Sequence, residues 1–237
     1  MLLSTRVQIN NMNMIKDLNF PDGVTYTFGY ITGADFYNGS TPLIRPFYNA
    51  QNYVADIKWD LSNTTDVANF FASSSIRYIS NLKLPTSLTN LSSLFYNSQI
   101  VLYPDMDTSN VTNMSQIFGM YSTIYPLLDC NKVTNFSNPW GYGSTNVRVI
   151  KGFKNLKCSI TSYFLDKATY ITVESLMNVI NNLYDWSQGP ADGKYVWEDG
   201  SSYNYGTTHT LKFGTTNLDK LTDEQKAVAI NKGWTLT

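Results

Sequence analysis

The chain has 237 residues, enough for one large domain or two small ones. Charged residues make up only 15% of it and the formal net charge is −1, so we expect no basic surface and no nucleic-acid partner. The first residues lack the basic and apolar segments of a signal peptide, and no apolar run reaches the ~18 residues of a membrane span, so we expect neither export nor membrane insertion.

Residues 1–40 open the chain without a visible repeat. Val24–Thr32 is rich in β-branched and aromatic residues and predicts a strand. Pro21–Gly23 before it and Gly33–Asp35 after it are typical of turns. We interpret residues 1–40 either as a cap that covers the open end of a repeat array or as a segment that docks onto a larger assembly.

The middle of the chain contains a repeat. Thr112–Phe118 reads Thr, Asn, an apolar residue, a small residue and, six places after the Thr, an aromatic residue. Copies of this seven-residue repeat segment begin 22 to 24 residues apart, at Thr65, Thr89 and Thr134, with a degenerate copy at Thr41. Such a period predicts stacked units, because one unit cannot bury its apolar side alone.

Short apolar stretches lie between the copies of the repeat segment. They alternate or cluster over four to six residues and often meet a proline, which predicts one short strand per repeat. The stretches are 76–79, 82–84, 100–103, 124–128 and 147–150. We expect each repeat segment to form the return, as a turn or as a single helical turn, with its third residue and its aromatic residue pointing inward.

The end of the chain changes character and predicts helices. Residues 172–183 carry apolar side chains at helical spacing. A second helix is predicted over 223–232, because Thr222 and Gln225 form a capping box before it. Residues 210–213 alternate as a strand between the two helices. We expect this helix–strand–helix unit to close the end of the array.

These elements predict an α+β fold in three parts. Residues 1–40 are the N-terminal cap or docking segment, 41–165 a short solenoid of 22–24-residue coils, and 166–237 the C-terminal cap. A solenoid offers a long surface and few deep pockets, so the architecture favours binding or assembly over catalysis.

An insertion at 186–208 interrupts the C-terminal cap. Lys194–Glu198 and Ser202–Tyr205 flank Asp199-Gly200 and predict a β-hairpin. If the turn is Asp199–Ser201, Trp197 faces Tyr203 and all four rings share one side; a two-residue turn would split them. The rings either form an exposed surface for sugars or a protein, or pack onto the C-terminal helices. The candidate binding residues are Tyr195, Trp197, Tyr203 and Tyr205.

Other chemically reactive residues have ordinary interpretations. The single histidine, His209, follows a loop and is expected at the surface or at a strand edge. Asp105 and Asp107 lack the glycine and distal glutamate of a calcium loop and predict a solvated turn. Cys130 and Cys158 are expected to be buried free thiols, with a disulfide as the minor alternative. No catalytic, metal or cofactor motif is present, so we expect no enzyme and no cofactor.

Two stretches carry a resemblance to a known family. Asp107–Phe118 resembles the unit of the BspA-like leucine-rich repeats found in surface proteins of bacteria and protozoa. Leu218–Leu236 is similar to the closing segment of many such proteins from gut Bacteroidetes and their phages, and residues 172–183 resemble the helix that precedes that segment. The resemblance covers about residues 57–236 and implies a leucine-rich-repeat solenoid.

The resemblance implies a scaffold rather than one activity. A short array without a visible export signal looks more like a phage virion component, such as a fibre, tail or capsid-decorating protein, made in the host cytoplasm for attachment or assembly. Its partners would be other virion proteins or a protein or glycan of the host surface. Fibres are often dimers or trimers, so self-association is also among the expected contacts. The alternative is an adhesin at the bacterial cell surface.

Overall fold

The computed structural model describes residues 82–141 and 143–237 in full, together with residues 61, 67–73 and 79. Before residue 82 it otherwise gives only the backbone of short strands. These are β1 (Arg6–Ile9), β2 (Thr25–Phe28), β3 (Tyr37–Asn38), β4 (Thr41–Pro42), β5 (Lys58–Asp60) and β6 (Asn81–Lys83). Of the predicted strand at 24–32, residues 25–28 form β2, and the other residues lie outside the described part of the chain. Much of the degenerate copy at Thr41 lies outside the described residues.

The repeat segments lie side by side and are joined by backbone hydrogen bonds. Leu91 N donates to Asn113 O at 2.8 Å, and Met114 N donates to Asn135 O at 2.8 Å. The same pattern joins the earlier copy, because Phe71 N donates to Leu94 O at 2.9 Å. Equivalent positions thus pair across successive turns of the chain, and each segment satisfies backbone donors of its neighbour.

The Asn and Ser of each repeat segment make the turn. The Oδ1 atom of Asn90 accepts the backbone N–H of Ser92 at 3.0 Å, and Asn113 accepts that of Ser115 at the same distance. Such bonds from an Asn side chain to the backbone two residues on stabilise a tight turn. The residue after each Ser position then takes a left-handed conformation, at Asn69, Ser93, Gln116 and Asn138. The Thr-Asn-x-Ser sequence therefore favours a turn through hydrogen bonds between residues two apart.

The apolar positions of the repeat segments form the core, as predicted. Met114 and Phe118 are fully buried, and so are their counterparts in the neighbouring copies. The rings stack from one segment to the next: Phe71 lies 5.5 Å from Phe95, and Phe118 lies 5.9 Å from Trp140, between ring centroids. The row continues through Phe164, 5.3 Å from Trp140. Tyr103 links Phe95 to Phe118 by edge contacts at 5.2 and 5.1 Å, so rings of successive segments bury one another, which a single segment could not do.

Parallel strands run along another side of the stack. Strands β1, β2, β5 and β6 form one parallel sheet in that order, so strands from before residue 40 share a sheet with strands from after it. Further along, β7 (Ile124–Asp129) pairs in parallel with β8 (Val149–Lys154). The stretch at 100–103 contributes a single bridge, between Leu102 and Ile124. One strand per repeat is thus seen for several copies, with unequal lengths.

The C-terminal part contains the predicted helices. Helix α1 (Val173–Asn181) begins after Thr172, whose side chain accepts the Ser175 N–H. Strands β9 (Lys194–Val196) and β10 (Ser202–Asn204) form the hairpin, and strand β11 (His209–Leu211) follows. After α2 (Thr215–Leu218), α3 (Asp223–Asn231) has the predicted capping box of Thr222 and Gln225.

Three features of the C-terminal part were not predicted. They are a single turn of 3-10 helix at Trp186–Gln188, the short helix α2, and the final strand β12 (Trp234–Leu236), which pairs in parallel with β11. In the described part of the chain, no helix is long and apolar enough to cross a membrane. The division at residues 40 and 165, and the assignment as a leucine-rich-repeat solenoid, stay predictions.

Candidate binding site

The hairpin of β9 and β10 places the four predicted rings on one face. Tyr203 pairs with Tyr195, and Trp197 N donates to Ser201 O at 2.9 Å. The loop is therefore the three residues 198–200, one position before the Asp199–Ser201 turn that the sequence left conditional, and Tyr203 faces Tyr195 rather than Trp197. All four rings still share one face. The observed pairing is shifted by two residues from the one considered, and residues two apart on a strand point to the same side.

A local hydrogen-bond pattern explains the turn of the hairpin. Asp199 Oδ1 accepts the Ser201 N–H at 3.0 Å and also accepts the Ser201 hydroxyl. Gly200 between them has φ +80°, a conformation that glycine adopts without strain. The hydrogen bond that Lys132 donates to the Asp199 carboxylate, with the two bonds from Ser201, holds the pKa of Asp199 well below its usual value.

The face that carries the rings is turned toward the stacked segments. Trp197 Nε1 donates to Asn131 O at 3.1 Å, and the Tyr205 hydroxyl donates to Val133 O at 2.9 Å. Lys132 and Asp199 form an ion pair at 2.8 Å. All three contacts reach Asn131–Val133, the loop after β7. The rings therefore neither stand free nor pack mainly on the C-terminal helices, the two alternatives that the sequence left open.

The four rings differ in exposure. Tyr203 is exposed over 42% of its surface, and Tyr195, Trp197 and Tyr205 are partly buried. Tyr203 packs edge-on against Tyr205 with 4.9 Å between ring centroids. Tyr195 and Trp197 contact each other at 5.5 Å. The predicted binding surface thus has one exposed ring, Tyr203, and three partly buried rings, of which Trp197 and Tyr205 donate hydrogen bonds to the loop after β7.

A cleft of about 370 Å³ lies between the hairpin and the loop after β7. Its lining includes two of the predicted rings, a side-chain amide, one positively charged residue and two negatively charged residues. The lining residues are Asn131, Lys132, Tyr195, Val196, Trp197, Glu198 and Asp199. A volume of this size suits a small ligand or one or two residues of a polymer. Because aromatic faces and polar groups meet there, this binding cleft is the candidate functional site.

Lys157 lies beneath the cleft and was missed by sequence reasoning. Its side chain is fully buried, and its Nζ donates to Asn131 Oδ1 at 2.7 Å and to Asn131 O at 2.9 Å. The ammonium also lies over the Tyr195 ring, 4.2 Å from its centroid. Burial lowers the pKa of Lys157 to about 8, although the negative charge of Asp129 acts in the opposite direction. No motif marks this lysine, because its surroundings come from segments far apart in the chain.

The two cysteines are free and buried, as predicted. Burial raises the pKa of Cys158 to about 12 and raises that of Cys130 well above its ordinary value. The nucleophilic thiolate is therefore scarce at neutral pH. The structure gives these thiols the role of small apolar core residues.

His209 is buried rather than at the surface, which corrects the expectation from sequence. It begins β11 and stacks flat on Trp186, with ring centroids 3.9 Å apart. Burial lowers its pKa to about 4, so the imidazole is neutral at physiological pH. Its role is packing between the hairpin and the final strand.

Asp107 closes a turn, as the sequence suggested. Its Oδ1 accepts the N–H and the hydroxyl of Ser109, at 3.0 and 2.7 Å. These bonds lower the pKa of Asp107. Among the described residues, no cluster of three His, Cys, Asp or Glu side chains could hold a metal ion.

Comparison with known proteins gives no relative: no protein-family model, no curated protein and no solved structure matches the chain.

Proposed function

We propose that this chain is a non-enzymatic recognition protein that binds a saccharide in the cleft beside the hairpin. The observation that carries the proposal is the meeting of Trp197 and Tyr195 with the polar groups of Asn131, Lys132 and Glu198 around one opening. Sugar rings present C–H groups that pack on aromatic faces and hydroxyls that exchange hydrogen bonds with amides and charged groups. A cleft with both kinds of lining suits that chemistry.

The hairpin is fixed against the loop after β7 before any ligand binds. The hydrogen bonds of Trp197 and Tyr205 to the loop after β7, and the ion pair of Lys132 with Asp199, fix one wall of the cleft against the other. A wall that is already ordered loses little conformational entropy when a ligand binds. The site is therefore preorganised, which supports recognition rather than a merely structural hairpin.

The biological setting that we propose is a phage virion component, a fibre, tail or capsid-decorating protein that attaches to a host surface. This part of the proposal is supported by the resemblance of Asp107–Phe118 and Leu218–Leu236 to BspA-like proteins of gut Bacteroidetes and their phages. Mass spectrometry of purified virions tests it. Recovery of the chain from host surface fractions, and its absence from virions, would favour a bacterial adhesin.

A glycan array probed with the fluorescently labelled full chain tests the saccharide proposal. We expect signal on a restricted set of glycans, and a loss of about tenfold in affinity, about 1.4 kcal/mol, for Glu198→Gln or Trp197→Phe on the best glycan. Tyr170→Ala is the matched control, because Tyr170 is an aromatic residue with 68% exposure that does not line the cleft. Uniformly negative arrays, or equal losses in the control, would reject saccharide binding at this site.

A further inference from the structure

The amine of Lys157 and the side-chain amide of Asn131 are held together beneath the hairpin. Nζ of Lys157 lies 2.7 Å from Oδ1 of Asn131. The carbonyl carbon Cγ, which is bonded to that oxygen, is therefore also close to the amine. The second bond, from Nζ to the backbone O of the same residue at 2.9 Å, fixes the amine from another direction. Two bonds to one residue leave the amine little freedom to turn away.

Water is largely kept from the lysine side chain. Lys157 has 0% of its surface exposed, and the rings of Tyr195 and Tyr184 lie 4.2 and 4.9 Å from Nζ. Trp197 covers Asn131 from the hairpin side through its bond to the backbone O. Burial lowers the pKa of the amine to about 8, so a sizeable fraction is neutral and nucleophilic in mildly alkaline solution.

We propose that Lys157 and Asn131 join spontaneously in an intramolecular isopeptide bond. The lone pair of the neutral Nζ attacks Cγ of Asn131, and the new N–C bond replaces the bond from Cγ to Nδ2. One amine proton passes to the departing nitrogen, which leaves as ammonia, and the product is a neutral secondary amide. No oxidant, metal or external reactant is consumed, and close placement of the reacting groups is the main source of rate.

Asp129 orders the loop that carries the amide. Its Oδ1 accepts the backbone N–H of Asn131 at 2.9 Å, and its negative charge favours the protonated form of Lys157 against the effect of burial. Lys157 thus supplies the nucleophile and Asn131 the acceptor carbon, and the amine proton passes directly to the leaving nitrogen.

The bond would tie together two positions 26 residues apart in sequence. Asn131 belongs to the loop on which the hairpin docks, and Lys157 follows β8. A covalent link at this point would lock the base of the binding cleft without occupying it. The inference does not depend on the saccharide proposal, since the link forms without any ligand.

Intact mass spectrometry of the denatured full chain, combined with peptide mapping, tests the bond. We expect a mass below that of the 26.8 kDa sequence by one ammonia, after correction for N-terminal processing read from the first peptide. A protease digest should contain one branched peptide that joins the Asn131 and Lys157 segments. A chain with the full sequence mass and only linear peptides would overturn the proposal.

Variants separate the cross-link from ring closure of Asn131 on its own backbone, which also releases ammonia. Lys157→Arg and Asn131→Ala should both keep the full mass expected of their sequences. Lys154→Arg is the matched control, because Lys154 lies near Asp129 but is exposed, and this variant should still lose ammonia. Loss of ammonia that persists in Lys157→Arg would show a succinimide and reject the isopeptide bond.

Discussion

His209 lies flat against Trp186, with ring centroids 3.9 Å apart and ring planes within 2°. The Trp234 ring also contacts the imidazole, tilted, with ring centroids 5.6 Å apart. The only histidine of the chain is thereby enclosed by aromatic rings, and this burial away from water favours its neutral form. This pair connects the hairpin region to the final strand, because Trp186 also contacts Tyr205 at 5.7 Å.

The enclosure of His209 makes stability depend on pH in a defined window. The folded pKa, about 4, lies below the ordinary 6.5, so above pH 6.5 the histidine is neutral in both states and has no effect. As the pH falls from 6.5 to 4, the imidazole of His209 binds a proton in the unfolded chain but not in the folded chain. We expect stability to fall by up to about 3 kcal/mol over that window.

Urea denaturation at pH 7 and pH 4.5 measures the effect of His209. The His209→Phe variant keeps a ring in the stack but cannot titrate, so the difference between wild type and variant isolates the histidine from the carboxylates. A wild type that loses no more stability than His209→Phe would show that the imidazole is hydrated in the folded state. The imidazole NMR signal of this single histidine reports its pKa directly.

Trp197 should contribute to stability as well as to binding. Its Nε1 bond to Asn131 O joins the hairpin to the stacked segments, so Trp197→Phe should cost about 1 kcal/mol and Trp197→Ala about 2–3 kcal/mol. Val196→Ala is the control, because Val196 is 58% exposed, and we expect its effect to stay within about 0.5 kcal/mol. Equal unfolding free energies for all three variants would mean that the hairpin is not docked.

Local patterns explain how much of the fold was predictable. The turn bonds of Asn113 and the capping box of α3 each involve residues two or three apart, so the sequence displays them directly. The inward position of Met114 and Phe118 follows from the repeat, since identical units bury identical columns. Strand β12 carries no such signal, because it is three residues long and its pairing with β11 is a tertiary contact.

The candidate site was only partly predictable, because local patterns indicate the hairpin but not the tertiary contacts of its rings. The Asp199-Gly200 turn and the ring spacing indicate a hairpin with one aromatic face. What that face touches depends on contacts between positions 66 and 72 residues apart, from Trp197 to Asn131 and from Tyr205 to Val133. The burial of Lys157 and His209 likewise comes from rings that the chain brings in from other elements, which composition and spacing do not encode.

Alanine substitutions at two neighbouring residues of a repeat segment should lower the free energy of unfolding by different amounts. Met114 is fully buried, so Met114→Ala should cost about 2–5 kcal/mol through lost contacts and a cavity. Asn113→Ala removes the 3.0 Å bond to the Ser115 N–H and should cost about 1 kcal/mol. Thermal or urea unfolding of both variants checks the order. A larger loss for Asn113→Ala would mean that the turn, not the core, limits stability.

Gly193 and Gly200 offer a matched pair for the docking of the hairpin. Both have positive φ, +71° and +80°, so alanine at either position costs about 1 kcal/mol of backbone strain. At Gly200 an added Cβ meets nothing within 4 Å, whereas at Gly193 it would lie 1.8 Å from the backbone O of Gly206. Gly193→Ala must therefore separate the two arms at their base, where Tyr205 N donates to Gly193 O at 2.9 Å.

We expect Gly200→Ala to lower the free energy of unfolding by about 1 kcal/mol and to keep saccharide binding. Gly193→Ala should lose clearly more stability and should also weaken binding, because the ring face no longer sits against the loop after β7. Urea unfolding and titration with the best glycan of the array measure the two effects on the same samples. If the two variants behave alike, the closure of the hairpin base does not control the cleft, and the rings reach their positions independently of it.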